Sequence, residues 1–375
     1  MKRFCYLLFF LLVLSCSREK VNPEPDTEEE KPEEFVPYPL KEGRVALSYV
    51  TYYSQGIPDP TLLTHICYAF AELYVVNNQY REFRLQGDES RFAAVVDLKK
   101  NHPGLKILLA FTHTVVNKDN AQGGGFSAMS STEEGRVAFA QDCLEFIRAW
   151  GIDGIDIGWE FPGLSWSGHA SNPAADTQNH VLLIRQLRQT LGPDLLITFP
   201  GYVMNAKPVS GGTRYIDLHG VEPYVDFVNI MTYDMDQAPH HHSALDDSRA
   251  YWDCARTLQA YKAAGFPTEK MVLGIPFYGR ISFSTSPSAI TYRQIKNLDP
   301  SLYSINNWDP AASVPYVKRI GTGAFYCGYD NAASIAIKGA WALSQGMKGL
   351  MCWMYHGDDD AGTLRKAMWN AVMKP

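Results

Sequence analysis

Cysteine is scarce in this sequence and widely spaced. Of the seven, Cys67, Cys143, Cys254, Cys327 and Cys352 lie beyond residue 16, an odd number with no close pair. That spacing supports neither a disulfide framework nor a zinc site. Burial as small apolar side chains is the expected fate of such cysteines. Positive charge is not in excess either. Lys and Arg number 34 against 40 Asp and Glu, a net charge of −6, which removes the basic patch a nucleic-acid site needs. No apolar run is long enough to span a bilayer as a helix. No glycine-rich phosphate loop follows the first strand-like run. No cofactor, metal or nucleic-acid partner is expected, and a monomer suffices. What is plentiful is aromatic: 13% of residues, with 8 Trp and 21 Tyr. Such rings stack on sugars, but they fill cores more often, so composition alone does not choose.

The chain opens "MKRFCYLLFFLLVLSC". Lys2 and Arg3 precede a short apolar run that ends in a small residue and Cys16, the pattern of a targeting segment. "VLSC" resembles a bacterial lipoprotein signal. On that reading residues 1–15 are removed and Cys16 carries the lipid that holds the protein in the cell envelope. An ordinary secretory signal with an incidental cysteine is the alternative. Residues 16–42, "CSREKVNPEPDTEEEKPEEFVPYPLKE", are rich in Pro and Glu and poor in apolar residues, which predicts a disordered acidic tether.

From residue 43 the pattern changes. Apolar runs at 44–50, 65–73, 105–111, 153–159, 195–200, 225–233, 270–277 and 349–354 read as strands. Helix-like stretches lie between them. "STEEGRVAFAQDCLEFIRAW" is the clearest, with Ser131 or Thr132 as cap, two glutamates in its first turn and apolar residues at helical spacing. Eight strands alternating with helices predict a (β/α)8 barrel; a doubly wound open sheet is the alternative. About fifty residues between "GIPFYGR" and "GYD" show no clear helix. They read as a small β-rich insertion, 281–327, between strands seven and eight, on the face where barrel enzymes bind ligands.

The densest chemistry is "GIDGIDIGWEFPG", residues 151–163. Alternate strand residues face opposite sides, so Asp156, Gly158 and Glu160 point into the barrel while Ile155, Ile157 and Trp159 face the helices. Inward carboxylates are costly unless partnered, and Glu160 stands where a barrel strand meets its catalytic face.

These runs together resemble glycoside hydrolase family 18, the chitinases and related endo-β-N-acetylglucosaminidases. "THICYAFA", the 126–163 stretch, "VNIMTYD", "GIPFYGR" and "GLMCWM" follow in the family's order, and the resemblance covers nearly all of 44–375. The family's signature is D-x-x-D-x-D-x-E. Asp153, Asp156 and Glu160 match it; Gly158 stands in place of the third aspartate. The resemblance implies a retaining hydrolase of β-1,4-linked N-acetylglucosamine glycans. In it Glu160 protonates the glycosidic oxygen and the substrate's N-acetyl oxygen is the nucleophile. It implies that Asp156 and Tyr233 are catalytic. Tyr233, with Met231 and Asp234 in the M-x-Y-D run, faces the N-acetyl carbonyl, and Trp353 forms the floor under the reactive sugar. The missing aspartate would orient the N-acetyl group.

The departures cluster. Ala110, Thr112 and His113 replace the usual S-x-G-G, and Phe161 stands beside the acid where a tyrosine is usual. Without an acid at 158, Glu160 is expected to lose a neighbour that raises its pKa. Asp234 or Asp236 could approach instead. If Gly158 is a simple loss, Gly158→Asp should restore turnover. A catalytically weak or inactive glycan-binding protein on the same barrel is therefore the second reading. Further candidates are Tyr49, Tyr52 and Tyr53, as sugar platforms or rim packing, and Arg280, as a sugar contact or a surface ion pair. Trp308 and Tyr316 could form a cleft wall. "PHHHSAL", residues 239–245, is expected to be a surface loop.

Overall fold

The eight predicted strands form one closed parallel barrel. The computed structural model describes residues 35, 38–116, 125–164, 170–203, 208–209, 212–213 and 215–374. The candidate signal and Cys16, the expected lipid site, lie outside the described residues, as does most of the expected tether. The barrel strands are β1 (Val45–Thr51), β2 (His65–Val76), β3 (Lys106–Thr112), β4 (Gly154–Gly158), β5 (Leu196–Gly201), β6 (Phe227–Ile230), β7 (Met271–Pro276) and β8 (Gly349–Trp353). Each pairs with its sequence neighbour, and β1 also pairs with β8, Val45 opposite Gly349, which closes the ring.

The alternation of side chains explains why these runs are apolar throughout. On β1, Val45, Leu47 and Tyr49 join Cys67, Ala69, Leu108, Ala110 and Met351 inside the barrel. Ala46 and Val50 join Ile66, Ile107, Ile155 and Ile157 in the larger core between barrel and helices. Both faces of a parallel strand are covered, so both are mostly apolar, and a polar side chain there needs a partner. The helix Glu133–Trp150 starts where its sequence predicts: the Thr132 hydroxyl accepts from the Gly135 amide at 3.1 Å. It ends at Gly151, whose φ of 64° closes the last turn.

Three elements differ from the sequence reading. β2 runs past the barrel and folds back on Gln79–Leu85 as an antiparallel hairpin. Its turn residues, Asn77 and Asn78, take positive φ of 51° and 58°, the conformation two-residue hairpin turns require. β6 stops at Ile230, because the chain turns at Met231 to line the barrel mouth. The insertion is a five-stranded antiparallel sheet running from Tyr278–Arg280 to Phe325–Gly328, slightly wider than 281–327. It also contains the short helix Tyr292–Lys296, fixed by a capping box between Thr291 and Gln294.

Candidate functional site

The C-terminal ends of the barrel strands surround a cavity of about 410 Å³. β4 and the residues just after it supply two of its carboxylates. Asp156 faces the interior and is almost fully buried. Its Oδ2 accepts from the Tyr49 hydroxyl at 2.9 Å, and its Oδ1 accepts from the Thr198 hydroxyl at 2.5 Å and the Asn229 amide at 3.2 Å. Burial pushes the Asp156 carboxyl up to about 6, against the pull of those three donors. Glu160, just beyond the strand, is partly buried at the cavity wall. Burial, and then the negative charge of Asp156, push its carboxyl up to about 7. The carboxyl is thus raised without an acid at 158, by burial and by Asp156.

Gly158 pairs with Thr112 of β3 and lines the same cavity. A β-carbon built there would lie 2.2 Å from the Phe111 carbonyl oxygen. Gly158 is therefore more than a missing side chain, since the β3 backbone closes over the position the side chain would leave from. Simple restoration by aspartate does not follow. Ala110, opposite Asp156 in register, is buried inside the barrel. The Thr112 hydroxyl accepts from the Thr114 amide at 3.0 Å. Asp153 sits at the other end of β4, held by Lys99 at 2.6 Å and Lys106 at 3.2 Å.

The opposite wall comes from the segment after β6. Tyr233 is buried; burial, with Glu160 and Asp234 nearby, raises its phenol well above the ordinary range. Asp234 takes a positive φ of 56°. Arg280 grips it with two hydrogen bonds, Nε to Oδ1 at 2.9 Å and Nη2 to Oδ2 at 2.7 Å, the planar fork that suits a carboxylate. His242 Nδ1 stands 3.3 Å from the same Oδ1. Burial pushes Asp234 up, but the hydrogen bonds from His242 and Arg280 outweigh it and hold the carboxyl below the ordinary range. Asp234 is thus committed to Arg280, and Asp236 does not line the cavity; neither replaces an acid at 158. Arg280 is an ion-pair partner in the cavity wall and not on the surface.

Trp353, at the end of β8, presents its ring to the cavity, stacked on Phe70 at 5.9 Å and tilted against Tyr49 at 5.5 Å. Tyr49 therefore holds Asp156 and braces Trp353. Tyr52 and Tyr53 pack edge to face outside the cavity lining. A second lobe of about 330 Å³ shares Glu160, Met231, Tyr233 and Asp234 with the first. Phe161 lines this lobe and not the main cavity; it is buried against Tyr202 in a stack of 6.5 Å. Glu160 consequently stands where the two lobes meet.

Other expectations fail on burial. The 239–245 stretch is not a surface loop throughout, because His241 and His242 are both buried. Trp308 and Tyr316 line a separate depression, and the insertion's contribution to the cavity wall comes from Ser288, Thr291, Gln294 and their neighbours. Among the described residues no group of His, Cys, Asp and Glu could hold a metal ion. Sequence reasoning missed Thr198 and Asn229, which hold Asp156. Both are polar residues at inward positions of apolar strands, and strand parity could have found them. Phe70 and Tyr202 carried no comparable mark, and His242 lay in the 239–245 stretch expected to be a surface loop.

The profile described as Glycosyl hydrolases family 18 matches residues 45–358. The chain is 27% identical over 338 residues to an oviduct-specific glycoprotein of Mesocricetus auratus, covering 81% of this chain and 48% of that protein. It is 27% identical over 299 residues to Chitinase A1 of Niallia circulans, covering 70% and 42%. The chain thus spans about half the length of the curated relatives it matches. A solved family 18 N-acetylglucosaminidase from Paenibacillus barengoltzii superposes with a TM-score of 0.68 at 25% identity, over 88% of this chain and all of that one. The chain belongs to glycosyl hydrolases family 18.

Proposed function

We propose that the protein is a chitinase-like glycoside hydrolase of β-1,4-linked N-acetylglucosamine glycans, working slowly because it lacks one carboxylate. The observation that carries this reading is Glu160: a carboxyl raised to about 7, between two lobes of one groove. A group with that pKa is largely protonated below neutrality and can donate to a leaving oxygen. In the first step the bond from the anomeric carbon to the glycosidic oxygen breaks. That oxygen takes the Glu160 proton, and the substrate's N-acetyl carbonyl oxygen bonds to the anomeric carbon. In the second, water attacks the anomeric carbon, the carbonyl oxygen leaves and Glu160 recovers a proton. Two inversions give retention. Tyr233 faces the acetamide and Trp353 lies under the ring.

The intermediate is positively charged at the acetamide. Asp156 is deeper and engaged by three donors, and Asp234 is paired with Arg280. Loss of one preorganised electrostatic partner costs about 10²–10³ in rate, and turnover should fall by that order. Gly158 favours a second reading, a glycan-binding protein on the same barrel, because the backbone leaves a side chain there no room. Both readings place a sugar on Trp353. Trp353→Ala should weaken binding of N-acetylglucosamine oligomers by about 1–3 kcal/mol, the scale of one large buried apolar side chain. Equal affinity in calorimetry for wild type and variant removes Trp353 from the site; hydrolysis by the wild type separates enzyme from binder.

We also propose that the protein is a monomer held at the cell envelope by lipid on Cys16, with residues 16–42 as the tether. The motif "VLSC" supports this. Cys16→Ala should shift the protein out of the membrane fraction or block its processing, and unchanged fractionation and processing would count against the anchor.

A further inference from the structure

We propose that the insertion carries a second carbohydrate site, for a neutral sugar unit of a glycan chain, in the depression between the 239–250 loop and the sheet. Trp308, Tyr316 and the histidine loop, which the cavity did not take up, converge here around a volume of about 550 Å³. None of its lining residues is shared with the cavity at Glu160. Tyr316 and Phe325 are stacked at 5.0 Å and 5° apart in plane, and His241 meets both rings edge on, at 6.0 Å and 5.2 Å. Trp308 lines the same depression and is 40% exposed.

Polar groups ring this aromatic surface. Arg249 forks onto Asp247 through two bonds of 2.8 Å and reaches Asp309 Oδ2 at 2.6 Å. The same Asp309 oxygen lies 3.1 Å from His241 Nε2. The loop is held from behind, where Asp330 accepts from Ser243 and Lys338, each at 2.7 Å. The site is therefore built before any ligand arrives, which lowers the ordering cost of binding. Flat rings suit the C–H face of a pyranose, and carboxylate and guanidinium edges exchange hydrogen bonds with its hydroxyls. Two carboxylates against one guanidinium leave no surplus positive charge for a phosphate or an acidic sugar. Asp247, Arg249 and Asp309 tie the loop to the sheet, and Tyr316, Phe325 and Trp308 line the depression left between them.

The proposal rests on the cleft reading only for its first probe. Calorimetry with tetramers of N-acetylglucosamine, glucose and mannose should show two sites for one of them in the wild type. Trp308→Ala should weaken one of these about tenfold or more, and Trp308→Phe should largely keep it. Thermal midpoints of both variants, compared with wild type, show that each is folded. Trp353→Ala should weaken the other site. Binding that Trp308→Ala leaves untouched for every tetramer, or a single site lost only in Trp353→Ala, overturns the second site. If Trp308→Ala removes binding while Trp353→Ala changes nothing, the cleft reading fails and the second site stands.

Discussion

Glu160→Gln should reduce hydrolysis of N-acetylglucosamine oligomers by about 10²–10⁴-fold, the range general acid catalysis contributes, while leaving their binding close to wild type. Glutamine keeps the shape and loses the proton, so a drop confined to kcat assigns the proton-donor role, whereas a rise in KM alone would assign a binding role. The pH profile follows from the same group. Glu160 must be protonated to act, and its carboxyl is raised from an ordinary 4.5 to about 7. Wild-type kcat/KM should therefore fall as pH rises through 7. Stability follows the same proton. Because the folded-state pKa lies above the unfolded one, the native chain holds a proton that the unfolded chain releases between about pH 4.5 and 7. The stability from this group is complete below pH 4.5 and lost as pH rises through 7. Asp156, raised to about 6, adds to the trend in the same direction. Glu160→Gln removes its own part, so in urea denaturation its stability relative to wild type should improve from pH 4 to pH 8. A constant difference across that range would mean that Glu160 titrates as an ordinary surface carboxyl.

Much of this was legible because barrel strands carry two codes at once. Unbroken apolar runs at 44–50 and 105–111 mark strands covered on both faces, and parity then placed Asp156 inside with Ile155 and Ile157 outside. Features that depend on distant parts of the chain were not legible. That Asp156 would be held by Thr198 and Asn229 requires three strands side by side. That Trp308 would leave the cleft depends on how the insertion's sheet is ordered, with 303–309 at the edge farthest from 278–280. The burial of His242 behind Asp234 requires a loop to fold under the barrel mouth. The hairpin at Asn77 and Asn78 is different, because its turn residues and the alternating "YREFRL" after them were a local signal that went unread.

Gly158→Asp, which motif comparison alone offers as the repair, should fail to restore turnover and should destabilise the barrel. Gly158 lies in register with Thr112, in the last of the pairs that join β3 to β4. The β-carbon of any substituted residue would start 2.2 Å from the Phe111 carbonyl oxygen and 3.8 Å from Pro200 Cγ. Unlike a side-chain tip, that oxygen belongs to the backbone and cannot rotate away. The two strands must part in a wall where Ala110 faces Asp156 and Phe111 faces Ile157, and overpacking of this kind costs about 1–3 kcal/mol. Gly158→Ala isolates this steric part and should lose that much in urea denaturation. Gly158→Asp adds a third carboxyl beside Asp156 and Glu160, so one of the three must hold a proton or the site must take in water. It should be less stable than the alanine variant and should gain less than about tenfold in hydrolysis of an N-acetylglucosamine tetramer, under about 1.4 kcal/mol of transition-state stabilisation. A Gly158→Asp protein that unfolds with the wild-type midpoint and cleaves tenfold faster or more would show that the strands open readily. The glycine would then be no more than a deleted acid, and the wild type an enzyme one substitution short of its family's full rate.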